Sequence, residues 1–322
     1  MSRIFDALQR TGIEQSGVKY PDLVSIVTQV LEAPALTAPF RDEPALREEV
    51  TPQRSAEENQ VVELPHIEDE RKPYSEVLAD FPTLNVTPNT ATRLVCVTEP
   101  DSLAAEKFRF LGVRLKNLQK SRLFKKVLVT STIPEEGKSL VSANLAAVLA
   151  KRKKRVLLID GDLRRPVLAK QFGLGELAGL AQWLQGDRRS LSNIYYLSEL
   201  GFWLIPAGSV PENPIELMSS TALGQMMERL SELFDWIIVD SPPILPLADT
   251  SVWARVTDGI LLVARVGKTE KAQLKRGLEI IKKSDIIGVV LNGSEHNSPN
   301  YYARYVAKAG PNSKNVVFPD VV

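Results

Sequence analysis

Six short aliphatic runs, alternating with helical patterns, limit what this chain can fold into more than any other feature. The runs span residues 126–130, 155–160, 203–206, 236–240, 259–265 and 286–291. Helical spacing occupies 138–150, 177–185, 222–234 and 270–283 between them. A further helix, capped by Asp101-Ser102, starts at Leu103 and carries Phe108, Leu111 and Leu115 as an apolar stripe. Aliphatic runs without polar alternation belong to strands buried on both faces, which happens where helical crossovers cover a parallel sheet. The expected fold class is α/β, a mostly parallel sheet with helices on both faces.

The first ninety or so residues are rich in proline and almost lack glycine, a composition that interrupts helices and strands. They read as a partly disordered arm over 1–95, with short helical patterns at 2–10 (Ile4, Phe5 and Leu8 on one face) and 23–31. The α/β domain is expected over 96–296, and a flexible polar tail over 297–322 bears Tyr301, Tyr302 and Tyr305. Lys and Arg total 40 against 39 Asp and Glu, so no global basic field points to nucleic acid. No apolar stretch reaches the roughly 18–20 residues of a membrane helix. Cys96 is the single cysteine, and His66 and His296 the two histidines, which leaves little for disulfide, thiolate-zinc or histidine chemistry. The expected location is the cytoplasm, and the chemistry must rest on carboxylates, lysine, serine and backbone.

Three motifs stand at the ends of aliphatic runs. The first run is followed by Ser131, Thr132, Ile133, Pro134, Glu135, Glu136, Gly137, Lys138, Ser139 and Leu140, then a helix. A strand, a loop ending Gly-Lys-Ser and a helix N-terminus together form a phosphate-binding loop. Lys138 would reach the β- and γ-phosphates, and the Ser139 hydroxyl would ligate Mg2+. The second run ends in Asp160-Gly161-Asp162 and leads into Leu163-Arg164-Arg165-Pro166; the fourth ends in Asp240-Ser241-Pro242-Pro243. Carboxylates at the C-terminal ends of parallel strands face the ligand crevice of an open α/β sheet. All three motifs in this order point to a P-loop NTPase holding ATP and Mg2+. Asn292, just past the last run, is either a turn residue or an adenine contact. Glu106 and Arg109, three apart on one helix, suit a surface ion pair.

Taken together, these residues resemble the bacterial tyrosine kinases (BY-kinases) that accompany exopolysaccharide and capsule synthesis, a P-loop lineage shared with division-site and plasmid-partitioning ATPases. The likeness spans Thr130–Ser139 as Walker A, 157–166 as Walker A′ and 237–243 as Walker B. It also includes Pro206-Ala207-Gly208, Asn213-Pro214 and Glu216-Leu217. The resemblance implies an ATP-dependent autokinase that labels Tyr301, Tyr302 and Tyr305 in trans. It implies Lys138, Asp160 and Asp162 as catalytic residues, with Asp160 the proton acceptor, and Ser139, Asp162 and Asp240 as metal ligands. Residues 132–140 and Asn292 would bind nucleotide. Glu106, Arg109 and Arg114 would line a homo-oligomer interface in a ring or dimer, although Gly112 stands where the family has an arginine. Glu135 replaces a family glycine, so a loop dihedral with φ > 0 is expected to be absent. Implied partners are protein tyrosine substrates, a cognate phosphatase and a membrane-embedded polysaccharide co-polymerase or chain-length adaptor, which would hold the chain at the inner face of the plasma membrane. The alternatives are a non-kinase positioning or partitioning ATPase and a nucleotide-binding scaffold. The ATPases usually carry a second lysine early in the P-loop, and Ser131 to Glu136 contains none.

Overall fold

The structure, a computed structural model, describes residues 74–186, 193–246, 248–282 and 285–293. All of them belong to one compact unit, Lys72–Val322. The helical patterns at 2–10 and 23–31, His66, His296 and the three tail tyrosines lie outside the described residues.

Eight strands form a single sheet: β1 (Thr83–Leu84), β2 (Lys126–Ser131), β3 (Val156–Asp160), β4 (Tyr195–Leu197), β5 (Phe202–Ile205), β6 (Trp236–Asp240), β7 (Gly259–Arg265) and β8 (Ile286–Asn292). Their order is β1-β4-β5-β3-β6-β2-β7-β8. Every neighbouring pair is parallel except β4–β5. Each residue of β2, β3 and β6 is buried, so both faces of the sheet centre are covered. The helix Lys138–Ala150 is buried at every position from Val141 to Leu149. Edge-on aromatic contacts, Phe124–Trp236 at 5.6 Å and Trp203–Phe234 at 5.5 Å, cluster at the N-terminal end of β6.

The six long strands fall within a residue or so of the aliphatic runs, because burial on both faces writes them into composition. Several elements differ from the sequence reading, among them β4 and the short helices Leu168–Gln171 and Pro214–Met218. The arm boundary at 95 falls inside the folded unit: Leu78, Phe81, Val86 and Leu94 are buried, and β1 pairs with β4. A two-residue edge strand flanked by Pro82 and Pro88 carries no periodicity to read. The helix Asp249–Val256 was also unforeseen; it follows a proline-rich turn and is only eight residues long.

Candidate active site

Parallel pairing brings the C-terminal ends of β2, β3 and β6 to one rim, with Val129 opposite Asp240 and Asp240 opposite Asp160. The loop after β2 turns into the helix Lys138–Ala150 at Gly137, whose φ is 97°. Glu135 also lies in the left-handed region at φ 64°, so the dihedral expected to be missing is present and is adopted by a glutamate. Lys268 pairs with its carboxylate at 2.5 Å, and Arg265 Nη1 donates to its carbonyl at 3.2 Å. Glu136 is fully buried. It accepts from the Ile133 amide at 2.8 Å and from the Thr269 hydroxyl, which ties the loop's interior to the turn after β7. Pro134 is exposed, whereas Leu140 packs on the core. Thr132 stands where the phosphate-loop pattern Gly-x-x-x-x-Gly-Lys-Ser/Thr has its first glycine; it is fully buried, and its Oγ1 has no hydrogen-bond partner. Space for its methyl exists because residue 277 is glycine: a Cβ there would lie 3.0 Å from Thr132 Cγ2.

The Lys138 ammonium lies 3.3 Å from Asp162 Oδ2. Burial works against its charge, but Asp240 and Asp162 outweigh burial and hold it above its ordinary value. Asp162 Oδ1 accepts from the Arg165 amide at 3.0 Å. Asp160 has 0% exposure, and its Oδ2 accepts from the amides of Val167 (3.1 Å) and Leu168 (2.9 Å). Burial, then the Asp240 charge, push the Asp160 carboxyl up to about 7 despite the Leu168 amide. Asp240, equally buried, is also raised, chiefly by burial; Lys138 and the nearby Ser139 and Ser142 hydroxyls oppose the shift. Ser142 donates to Asp240 Oδ1 at 3.3 Å, whereas Oδ2 is buried with no hydrogen bond of good geometry.

That free, desolvated carboxylate oxygen beside a hydroxyl at a helix N-terminus fits Mg2+ or a water bound to it. Asp160 is tied to backbone amides, and among the described residues no group of three His, Cys, Asp or Glu side chains is set to hold a metal. A metal would therefore depend on Ser139, Asp240, Asp162 and the ligand's own oxygens. Asn292 does reach the loop, but its amide serves the protein: Nδ2 donates to the Glu136 carbonyl at 2.9 Å, and Oδ1 accepts from Gly293 at 2.9 Å.

Glu106, Arg109 and Arg114 lie on the helix Leu103–Ser121. Glu106 and Arg109 pair with each other, and Arg114 stacks 4.5 Å from the exposed Phe110 ring. Gly112 is buried, and a Cβ would meet Val148 Cγ1 at 2.9 Å, so an arginine has no room there. Sequence reading missed Thr269 as the partner of Glu136, and Ser142, Asp249, Thr250 and Trp253. Only the last three carried a local signal, the i,i+4 spacing of Asp249 and Trp253 just after the third motif.

Residues 127–316 match the family described as CobQ/CobB/MinD/ParA nucleotide binding domain. The tyrosine-protein kinase YwqD of Bacillus subtilis is 36% identical over 214 residues, covering 65% of this chain and 90% of YwqD. The succinoglycan biosynthesis transport protein ExoP of Rhizobium meliloti is 31% identical over 217 residues, 66% of this chain but 28% of ExoP. Among solved structures, the kinase domain of Escherichia coli tyrosine kinase ETK superposes with a TM-score of 0.59 and 31% identity, covering 65% of this chain and 83% of that domain. The chain thus spans nearly all of YwqD and under a third of ExoP. In this chain a Gly-Lys-Ser loop faces buried carboxylates on adjacent parallel strands, and the chain belongs to the CobQ/CobB/MinD/ParA nucleotide-binding family and, within it, to the bacterial tyrosine kinases.

Proposed function

We propose that this chain is an ATP- and Mg2+-dependent protein-tyrosine autokinase serving exopolysaccharide or capsule synthesis and export. The observation that carries the reading is Asp160: a fully buried carboxyl, pushed up to about 7, one strand from Asp240 and beside the Lys138–Asp162 pair. A tyrosine phenol with a pKa of ~10 is a weak nucleophile at neutral pH, and an acceptor poised near 7 suits its proton. Asp160 would orient and deprotonate the phenol through Oδ1, whose contact with the Asp162 amide is long at 3.4 Å, since Oδ2 is held more closely by the Val167 and Leu168 amides. Lys138 would meet charge on the β- and γ-phosphate oxygens. Ser139, Asp240 and Asp162 would hold magnesium, which supplies charge neutralisation between those phosphates. The transition state is loose, so placement of these groups contributes more than base strength.

Tyr301, Tyr302 and Tyr305 would accept the phosphoryl group from a neighbouring subunit, in a ring or dimer with Glu106, Arg109 and Arg114 at the interface. Among the described residues no helix is long and apolar enough to cross a membrane. A polysaccharide co-polymerase or chain-length adaptor would hold the chain at the cytoplasmic face of the membrane, and a phosphatase would reverse the mark. The absence of lysine from Ser131 to Glu136 favours this reading over a positioning-type ATPase.

The test is an anti-phosphotyrosine blot and phosphosite map after incubation with Mg-ATP. Wild type is expected to label and Lys138→Met to stay blank. Phe at positions 301, 302 and 305 together should remove most label while ATP turnover persists. ATP consumption by an unlabelled wild type would support the positioning ATPase instead; neither binding nor turnover would leave a scaffold.

A further inference from the structure

The helix Asp249–Val256 touches both acidic motifs from one face. Arg164 donates to Asp249 from Nε at 2.8 Å and from Nη2 at 3.2 Å, a two-pronged pair in which Asp249 is 1% exposed. One turn on, Trp253 Nε1 donates to the Gly161 carbonyl at 3.1 Å, with the ring fully buried. Between them, the Thr250 hydroxyl donates to the Pro242 carbonyl at 2.8 Å. Gly161 is in turn gripped from the other side, its amide donating to the Asp240 carbonyl at 2.7 Å.

These contacts matter because the β3 ladder ends at Asp160, opposite Asp240. The next residues, Gly161 to Pro166, form no helix or strand, so sheet pairing does not place Asp162. Asp162, which faces Lys138, is instead bracketed by the grip on Gly161 and the grip on Arg164. Residues at i and i+4 share a helix face, so both grips move as one rigid unit. The Pro242 contact carries the same constraint to the residues following Asp240.

We propose that the helix Asp249–Val256 sets the register of the two acidic motifs, with Asp249 and Trp253 as positioning residues acting through Arg164 and Gly161. The inference rests on the kinase reading above. Misplacing a catalytic group by an ångström can cost about a hundredfold in rate without weakening ground-state binding. The effect of loosening the clamp therefore falls on kcat.

The experiment uses the full chain with Asp249→Asn, Trp253→Phe, Arg164→Ala and the Asp249→Asn/Arg164→Ala double variant. Autophosphorylation kcat and KM for ATP, affinity for a fluorescent ADP analogue, and thermal midpoint are measured for each. Expected is a fall in kcat of about tenfold or more, with KM and ADP affinity within about threefold. The double variant should be no slower than its slower parent, since both changes break one coupling. Unchanged kcat, additive losses, or a joint collapse of kcat, affinity and melting would overturn the proposal. Should Asp249→Asn fail to fold, Trp253→Phe, which removes the indole N–H, decides the matter alone. A wild type that never labels tyrosine refutes the kinase reading but not the clamp, which is then read from ATP cleavage in the same variants.

Discussion

Asn292, the last residue of β8, holds the Glu136 carbonyl of the phosphate loop at 2.9 Å, and its side-chain nitrogen would lie 2.0 Å from a Cβ at Gly137. The loop's shape is therefore maintained from a strand 156 residues away in sequence. Gly137→Ala meets both that contact and a φ of 97° that L-residues resist. It is expected to weaken binding of a fluorescent ADP analogue by more than about tenfold, and Asn292→Ala by a few-fold, because the latter only loosens the loop. Binding by Gly137→Ala as tight as wild type would contradict this geometry.

Asp160→Asn can keep the Val167 and Leu168 amides on its carbonyl oxygen but cannot take a proton. Phosphotyrosine formation should vanish while nucleotide affinity stays within about tenfold. The folded carboxyl holds its proton more tightly than its ordinary 3.8, up to about 7. Its contribution to stability is thus complete below 3.8 and lost as the pH rises through about 7. The asparagine variant should melt higher than wild type at pH 8, with the difference closing toward pH 4. Near-normal self-labelling would remove Asp160 from the base role.

Asp235 behaves in the opposite sense. Burial would raise its pKa, but hydrogen bonds from the Arg155 side chain (3.1 Å) and amide (3.0 Å) lower it overall. That contribution is present above the unfolded value of 3.8 and disappears as the pH falls through the lower folded one. Asp235→Asn should cost roughly 0.5–1 kcal/mol at pH 7, since the pair is partly exposed. Urea titrations at pH 7 and pH 3 should show the gap narrowing under acid; a constant gap would assign the loss to packing.

Placing an arginine at position 112 should harm this chain. With Val148 Cγ1 at 2.9 Å from a Cβ there, Gly112→Arg must part the helix Leu103–Ser121 from the P-loop helix. A loss of about 1–3 kcal/mol in equilibrium unfolding is expected. Unchanged stability would show that the two helices can separate at little cost.

Burial pushes the Cys96 thiol up to about 11, against the opposing charges of Lys151 and Arg109, and the residue is 2% exposed. Almost no thiolate exists at pH 8, so an aromatic disulfide reagent should leave the native protein untouched and react promptly in denaturant. Rapid stoichiometric labelling of the native chain would mean that the segment around Cys96 opens readily.

The central strands and the phosphate loop were readable from the chain because their causes are local. A strand dry on both faces needs an unbroken aliphatic run, as at Trp236–Asp240, and a Gly-Lys-Ser turn after such a run announces its chemistry. Order along a parallel sheet also predicts that Asp160 and Asp240 share a rim. That Asp240 Oδ2 is left without a partner while Asp160 Oδ2 is held depended on amides from Val167 and Leu168 and hydroxyls from the P-loop helix. The buried Glu136 and Thr269, Gly112 against Val148, and the hold of Asp249 and Trp253 on Arg164 and Gly161 likewise join residues far apart in the chain. Their partners are chosen by packing in three dimensions, and a linear pattern carries no distance between side chains that meet only after the sheet has closed.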